Sequence, residues 1–119
     1  MMHKSAPLKM VVTNNAGVTV MDIQGRIDSI TSGLFLSRLN ELIDGGCNRF
    51  IIDFSRLSFI SSVGLRVLLV CDKKIRPRDG KIILCGLSTD VQEVFKITEF
   101  STIFPVCKNR EEALVLAVS

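Results

Sequence analysis

Four serines, Ser55, Ser58, Ser61 and Ser62, fall within eight consecutive positions of the chain. They separate an apolar run at 49–54 from a second apolar run that begins at Val63 and has helical spacing. Ser61 and Ser62 stand directly before that second run. The first N–H groups of a helix have no intrahelical partner, and the helix dipole puts partial positive charge beside them. A phosphate esterified to a serine there would sit on its own helix start. It would add about −1.5 to −2 charge to the surrounding surface. A partner packed over that surface would have to bury the charge unpaired, and would let go. The simpler reading is an N-cap, a serine oxygen accepting a first-turn N–H, worth about 1 kcal/mol. The residues alone are compatible with both.

Other chemistry is poorly supplied. The only histidine is His3, so a Ser–His or Cys–His pair has no base within the body of the chain. Neither GxxxxGK[ST] nor GxGxxG occurs. The carboxylates Asp22, Asp28, Glu41, Asp44, Asp53 and Asp72 are scattered, and Asp53, at a predicted strand end, has no partner at acid–base spacing. The residues therefore predict a protein that is not an enzyme, with no catalytic residue and no cofactor. Cys47, Cys71, Cys85 and Cys107 form no CxxC pair, so no metal site is expected. Cys71 and Cys85 lie in apolar runs and read as buried free thiols of a reducing cytoplasm. A net charge of +3, seven Phe and no Trp or Tyr give little for direct nucleic-acid binding. No signal peptide is apparent, and the apolar stretch at 63–71 is too short to span a membrane. A cytoplasmic protein with no membrane insertion is expected.

The elements that must position the serines follow from periodicity. Runs at 9–12 and 18–24 flank an Asn/Gly turn and predict a hairpin. Gly25-Arg26-Ile27-Asp28 reads as a loop, with Thr31 and Ser32 as N-caps of an amphipathic helix carrying Phe35, Leu36, Leu39, Leu42 and Ile43. Gly45-Gly46 ends it. The run at 49–54 predicts a strand buried on both faces. The helix at 63–74 is apolar on most sides and is expected to be central and well buried. Lys73, Lys74, Arg76, Arg78 and Lys81 gather at and beyond its end, as a helix dipole favours, and Pro77 and Asp79-Gly80 stop it. A strand at 82–85 follows. Ser88 then caps a helix with Val91, Val94 and Phe95 on one face. Residues 103–106 predict a strand placed by Pro105 at an edge or strand end, and Asn109 caps a last helix through Ala113, Leu114 and Ala117. The order β-β-α-β-α-β-α-β-α predicts one α/β sandwich over 1–119, with a mostly parallel sheet, an N-terminal hairpin and four helices. Residues 1–7 are expected to form a flexible tail.

The segment Asp53-Phe54-Ser55, followed by Phe59-Ile60-Ser61-Ser62-Val63-Gly64-Leu65-Arg66, resembles the signature of the anti-sigma factor antagonists, a family of STAS domains. Gly25-Arg26-Ile27-Asp28 resembles that family's Gly-x-Leu-Asp loop. Val94-Phe95 through Phe104 resembles its stretch before the last strand, so the resemblance covers nearly the whole chain. It implies an antagonist that binds an anti-sigma factor and frees a sigma factor. The anti-sigma factor is also an ATP-dependent serine kinase that phosphorylates and releases the antagonist, and a protein phosphatase resets it. By register the phosphorylated serine is Ser62. Two positions depart from the pattern: Ser61 stands where the family has Asp, which makes it the alternative acceptor, and Val63 replaces a small residue. The implied docking surface holds Asp28, Ser61, Ser62, Gly64 and Arg66. Asp28 is equally a turn former bonded to residue 30 or 31, and Gly64 permits close approach of another backbone or a partner. The alternative is a non-phosphorylated STAS module in a transport or signalling assembly, or a nucleotide-sensing domain.

Overall fold

The computed structural model describes residues 8–118; the expected tail at 1–7, with His3, lies outside them. Lys9–Asn15 (β1) and Val18–Ile27 (β2) pair antiparallel around Ala16 and Gly17. Both turn residues have positive φ, 54° and 84°, as a two-residue hairpin with native strand twist requires. The remaining strands add in sequence order and in parallel: Arg49–Ile60 (β3), Lys81–Cys85 (β4) and Val106–Cys107 (β5). Parallel neighbours need crossovers, which are supplied by Ser32–Asp44 (α1), Ser62–Ile75 (α2) and Thr89–Ile97 (α3). Arg110–Val118 (α4) follows β5.

Successive strand residues point to opposite faces, and this sorts the core into two layers. Met21, Ile23, Phe50, Ile52, Phe54, Ile82 and Leu84 pack with Phe35 and Leu39 of α1, Leu65 and Leu68 of α2, and Val91 and Phe95 of α3. Val18, Val20, Ile51, Ile83 and Cys85 pack on the other face with Ala113 and Ala117 of α4. Covering both faces makes residues 50–54 fully buried, as the continuous apolar run predicts. The result is an α/β sandwich with a mixed five-stranded sheet, an N-terminal hairpin and four helices.

Several helix ends follow local chemistry. Gly46, at φ 104°, ends α1 with its N–H on Ile43 O, and the Cys47 N–H reaches Leu42 O at 3.0 Å. Ser88 Oγ accepts from Val91 N at 3.2 Å, and Asn109 Oδ1 from Glu112 N at 2.9 Å.

Four expectations are corrected. β2 continues through Gly25-Arg26-Ile27, so that segment is not a loop, and β3 runs on past residue 54 to Ile60. The two extensions pair with each other as a two-stranded arm, Gln24 opposite Arg56 and Ile27 opposite Ile60. Two register shifts in the arm break the alternation that reveals a strand. α2 is not enclosed: Leu65, Leu68, Cys71 and Ile75 are buried, but Val63 and Val70 are 43% and 41% exposed. The last strand is Val106–Cys107, not 103–106. Pro105 lacks an N–H, so the ladder begins after it, and its carbonyl still accepts from Leu84 N at 2.9 Å. Thr31 holds the N-cap position of α1, yet its hydroxyl turns away from the helix to donate to Arg26 O at 2.7 Å, while Ser32 is a buried first helical residue.

Candidate functional site

The β2–β3 arm extends beyond β4, and its tip is where α1 and α2 begin. The Ser61 N–H donates to Ile27 O at 2.8 Å and ties the two strand ends together. Ser61 then has extended backbone, and its Oγ accepts from Gly64 N at 3.3 Å, so it is the N-cap of α2. Ser62 is the first helical residue, exposed, and its hydroxyl makes no hydrogen bond among the described residues. Adjacent serines thus hold different positions: one hydroxyl is committed to the helix and the other faces solvent.

Gly64 is also placed by the arm. It is buried, and a Cβ added there would lie 2.6 Å from Ile27 Cγ2 and 2.8 Å from Ile60 Cγ1. The close approach expected at Gly64 is therefore made by the protein's own two strand ends. Asp28, one residue beyond β2, accepts from the N–H groups of Ile30 at 2.9 Å and Thr31 at 3.0 Å. The Thr31 N–H holds its carboxyl below the usual carboxylate range. Partial desolvation opposes this, and the Ile30 N–H, the Thr31 hydroxyl and Arg26 reinforce it. Asp28 is thus a turn former that starts α1, with its side chain 27% exposed at the same tip. Arg26 lies 3.8 Å from its carboxylate and stacks over Phe59, 4.4 Å from the ring centroid.

Arg66 is exposed one turn along α2 from Ser62. Both line a shallow groove of about 360 Å³ with Leu69, Val70, Lys73 and Phe100. Ile30 (77% exposed), Leu34, Phe59 and Val63 present apolar surface on the elements that meet at the arm's tip. These four residues and the groove were missed in the sequence. The available signal, for the helical residues Leu34 and Val70, was an apolar residue where the amphipathic pattern calls for a polar one.

A second polar cluster lies on the opposite face of the sheet, under α4. Asp22 is in register with Asp53, and Asp53 with Cys85. Arg110 joins the two carboxylates, its Nε 2.6 Å from Asp53 Oδ2 and its NH2 3.2 Å from Asp22 Oδ2. Burial pushes the Asp53 carboxyl up, but the Arg110 donor and the Ser55 N–H outweigh it and hold the carboxyl below its ordinary range. Asp53 therefore does have a partner, supplied by a helix 57 residues away. Burial, with Asp53 nearby, pushes the Cys85 thiol up to about 12. Cys71 and Cys85 are buried free thiols. Two of the basic residues around the end of α2 are engaged: Arg76 pairs with Asp72 one turn back at 2.7 Å, and Lys74 donates across to Asn40 of α1 at 2.6 Å. Among the described residues no group of three His, Cys, Asp or Glu side chains is placed to hold a metal, and no helix is long and apolar enough to cross a membrane.

Fold and site together define a small α/β domain that offers a serine at a helix start, flanked by exposed apolar and basic side chains. The chain belongs to the STAS domain family, whose model matches residues 9–113. A candidate anti-sigma factor antagonist, BtrV of Bordetella bronchiseptica, is 37% identical over 106 residues, 89% of this chain and 91% of its own. The fold is shared with an anti-sigma factor antagonist from Mycobacterium paratuberculosis, at TM-score 0.88 and 23% identity over 98% of this chain and 100% of that one. It is shared also with the Bacillus cell fate determinant SpoIIAA in its phosphorylated form, at TM-score 0.69 and 19% identity, covering 92% and 98% of the two chains.

Proposed function

We propose that this protein is an anti-sigma factor antagonist, a binding protein whose docking surface surrounds the start of α2. Docking on the anti-sigma factor frees a sigma factor. The anti-sigma factor, acting as an ATP-dependent serine kinase, transfers the γ-phosphoryl group of ATP to Ser62 Oγ. ADP leaves with the broken P–O bond, and the hydroxyl proton passes to a base of the kinase. A phosphatase returns Ser62 by hydrolysis to inorganic phosphate.

The observation that carries the reading is the division between neighbouring serines: Ser61 Oγ caps α2, while Ser62 is exposed and free of hydrogen bonds among the described residues. Phosphate on Ser61 would displace the cap. On Ser62 it would lie beside first-turn N–H groups and intrude on the apolar surface of Phe59 and Val63. Kinship with an anti-sigma factor antagonist over most of both chains supports the same reading. The phosphorylated form of a protein with this fold is consistent with it.

The test is intact-mass and peptide-resolved mass spectrometry after incubation with ATP and the anti-sigma factor kinase from the same source. Ser62→Ala and Ser61→Ala variants are treated in parallel. One phosphate, absent only in Ser62→Ala, is the expected result. Loss only in Ser61→Ala moves the switch by one residue. No phosphate in any sample, with the kinase shown active, sinks the phospho-switch and leaves a constitutive binding module.

A further inference from the structure

On the reading that Ser62 carries the phosphate, we propose that Arg66 captures it, so that phosphorylation withdraws a docking cation as well as adding an anion. Arg66 stands four residues after Ser62 on α2, and the two side chains line the same groove. Residues at that spacing have Cβ atoms about 5–6 Å apart on one helix face, within reach of an arginine fork. Arg66 has no hydrogen bond or ion pair among the described residues, so no bond has to break for it to turn.

Competing charges near the helix start are few. α2 has no acidic residue in its first turn, since the capping position is Ser61. The Asp28 carboxylate is held by the Ile30 and Thr31 N–H groups, and Asp72 is held by Arg76. A guanidinium offers paired N–H donors that match two phosphate oxygens, which an ammonium cannot do with the same geometry. Leu69, Val70 and Phe100 wall the groove and reduce the water around such a pair, and Lys73 adds a second cation farther along it.

Two states with different surfaces follow. Unphosphorylated, the face presents Arg66 to an acidic group of the partner. Phosphorylated, Arg66 lies back along its own helix against the phosphate. The partner then meets a surface short of one cation and carrying a partly neutralised anion. Ser62 and Arg66 thereby act as one switch.

The experiment uses the full chain with Ser62→phosphoserine installed by genetic encoding, which needs no kinase. Phosphorus NMR titration gives the second phosphate pKa, near 6 when unperturbed. With Arg66 present it is expected about 0.3 unit lower than in the Arg66→Gln background, with Arg66→Lys between them, because an adjacent cation favours the dianion. The Arg66 side-chain Nε–H resonance is expected to shift between the serine and phosphoserine forms. Circular dichroism of each variant establishes that it is folded. Equal phosphate pKa values in the Arg66 and Arg66→Gln proteins, with an unmoved Nε–H resonance, would overturn the proposal. Because the phosphoserine is installed without the kinase, that result leaves kinase action on Ser62 intact. Failure of the kinase to modify Ser62 is read separately by mass.

Discussion

At the scale of single residues, neighbouring serines should separate stability from signalling. Ser61→Ala removes the α2 cap and is expected to lower unfolding free energy by about 0.5–1 kcal/mol, the low end for caps because the bond is long at 3.3 Å. Ser62→Ala, at an exposed hydroxyl with no hydrogen bond among the described residues, is expected to stay within about 0.5 kcal/mol of wild type. Urea denaturation of both variants measures the contrast, and a larger loss for Ser62→Ala would contradict this account of the helix start. Ala16 offers a gain instead. It holds φ 54° in the hairpin turn, a region costly for a residue with a Cβ and tolerated by asparagine. Ala16→Asn is expected to raise stability by about 0.5–1 kcal/mol in the same assay. The capping serines were legible in the sequence because a cap is a bond between near neighbours. The true contacts of Gly64 were not, because Ile27 and Ile60 reach it only after two distant strands have paired.

At the scale of elements, the site depends on the β2–β3 arm, which was also the least legible part of the chain. Residues 50–54 announced themselves as a buried strand, but residues 55–60 alternate poorly because two register shifts insert extra residues opposite Asp22–Arg26. The apolar surplus of α2 suggested enclosure, yet part of it, Val63 and Val70, is exposed near the proposed switch. Period alone tells how much of a helix is apolar, not whether a neighbour covers it. The arm meets α2 at Gly64, and a methyl group tests that joint. In Gly64→Ala the new Cβ would fall within 2.8 Å of two isoleucine side chains that are themselves fully buried. Overpacking of this kind costs about 1–3 kcal/mol, against up to about 1 kcal/mol gained in helix propensity. A net loss of about 1–2 kcal/mol is expected in thermal or urea unfolding. An unchanged or increased stability would show that the tip yields, and that the position of Ser62 is not fixed by this contact.

At the scale of the whole molecule, one arginine ties a pair of carboxylates on the opposite face of the sheet to α4. Asp22 and Asp53 occupy matching positions on adjacent parallel strands, an arrangement that sets two carboxylates side by side under α4. Arg110 makes it tolerable, and in doing so fixes the helix start over the middle of β2 and β3. Nothing in the local sequence links residues so far apart, which is why Asp53 looked solitary. Asp53 has a folded pKa below its ordinary value of about 3.9. Its stabilising contribution is therefore complete above that value and is lost as pH falls through the folded pKa. Arg110→Met leaves Asp53 buried without its main donor, so burial then raises its pKa. Breaking a buried pair costs about 3–5 kcal/mol, and the 44% exposure of Arg110 reduces the expectation to about 2 kcal/mol at neutral pH. The difference from wild type should shrink below about pH 4, where protonated carboxyls no longer need the cation. Asp53→Asn added to Arg110→Met should recover part of the loss, since the amide oxygen can still accept from the Ser55 N–H that Asp53 now holds at 2.9 Å. Urea unfolding of wild type, single and double variants between pH 3 and 7 measures this. A pH-independent deficit in Arg110→Met would mean that the arginine acts through its packing on the sheet rather than through its charge.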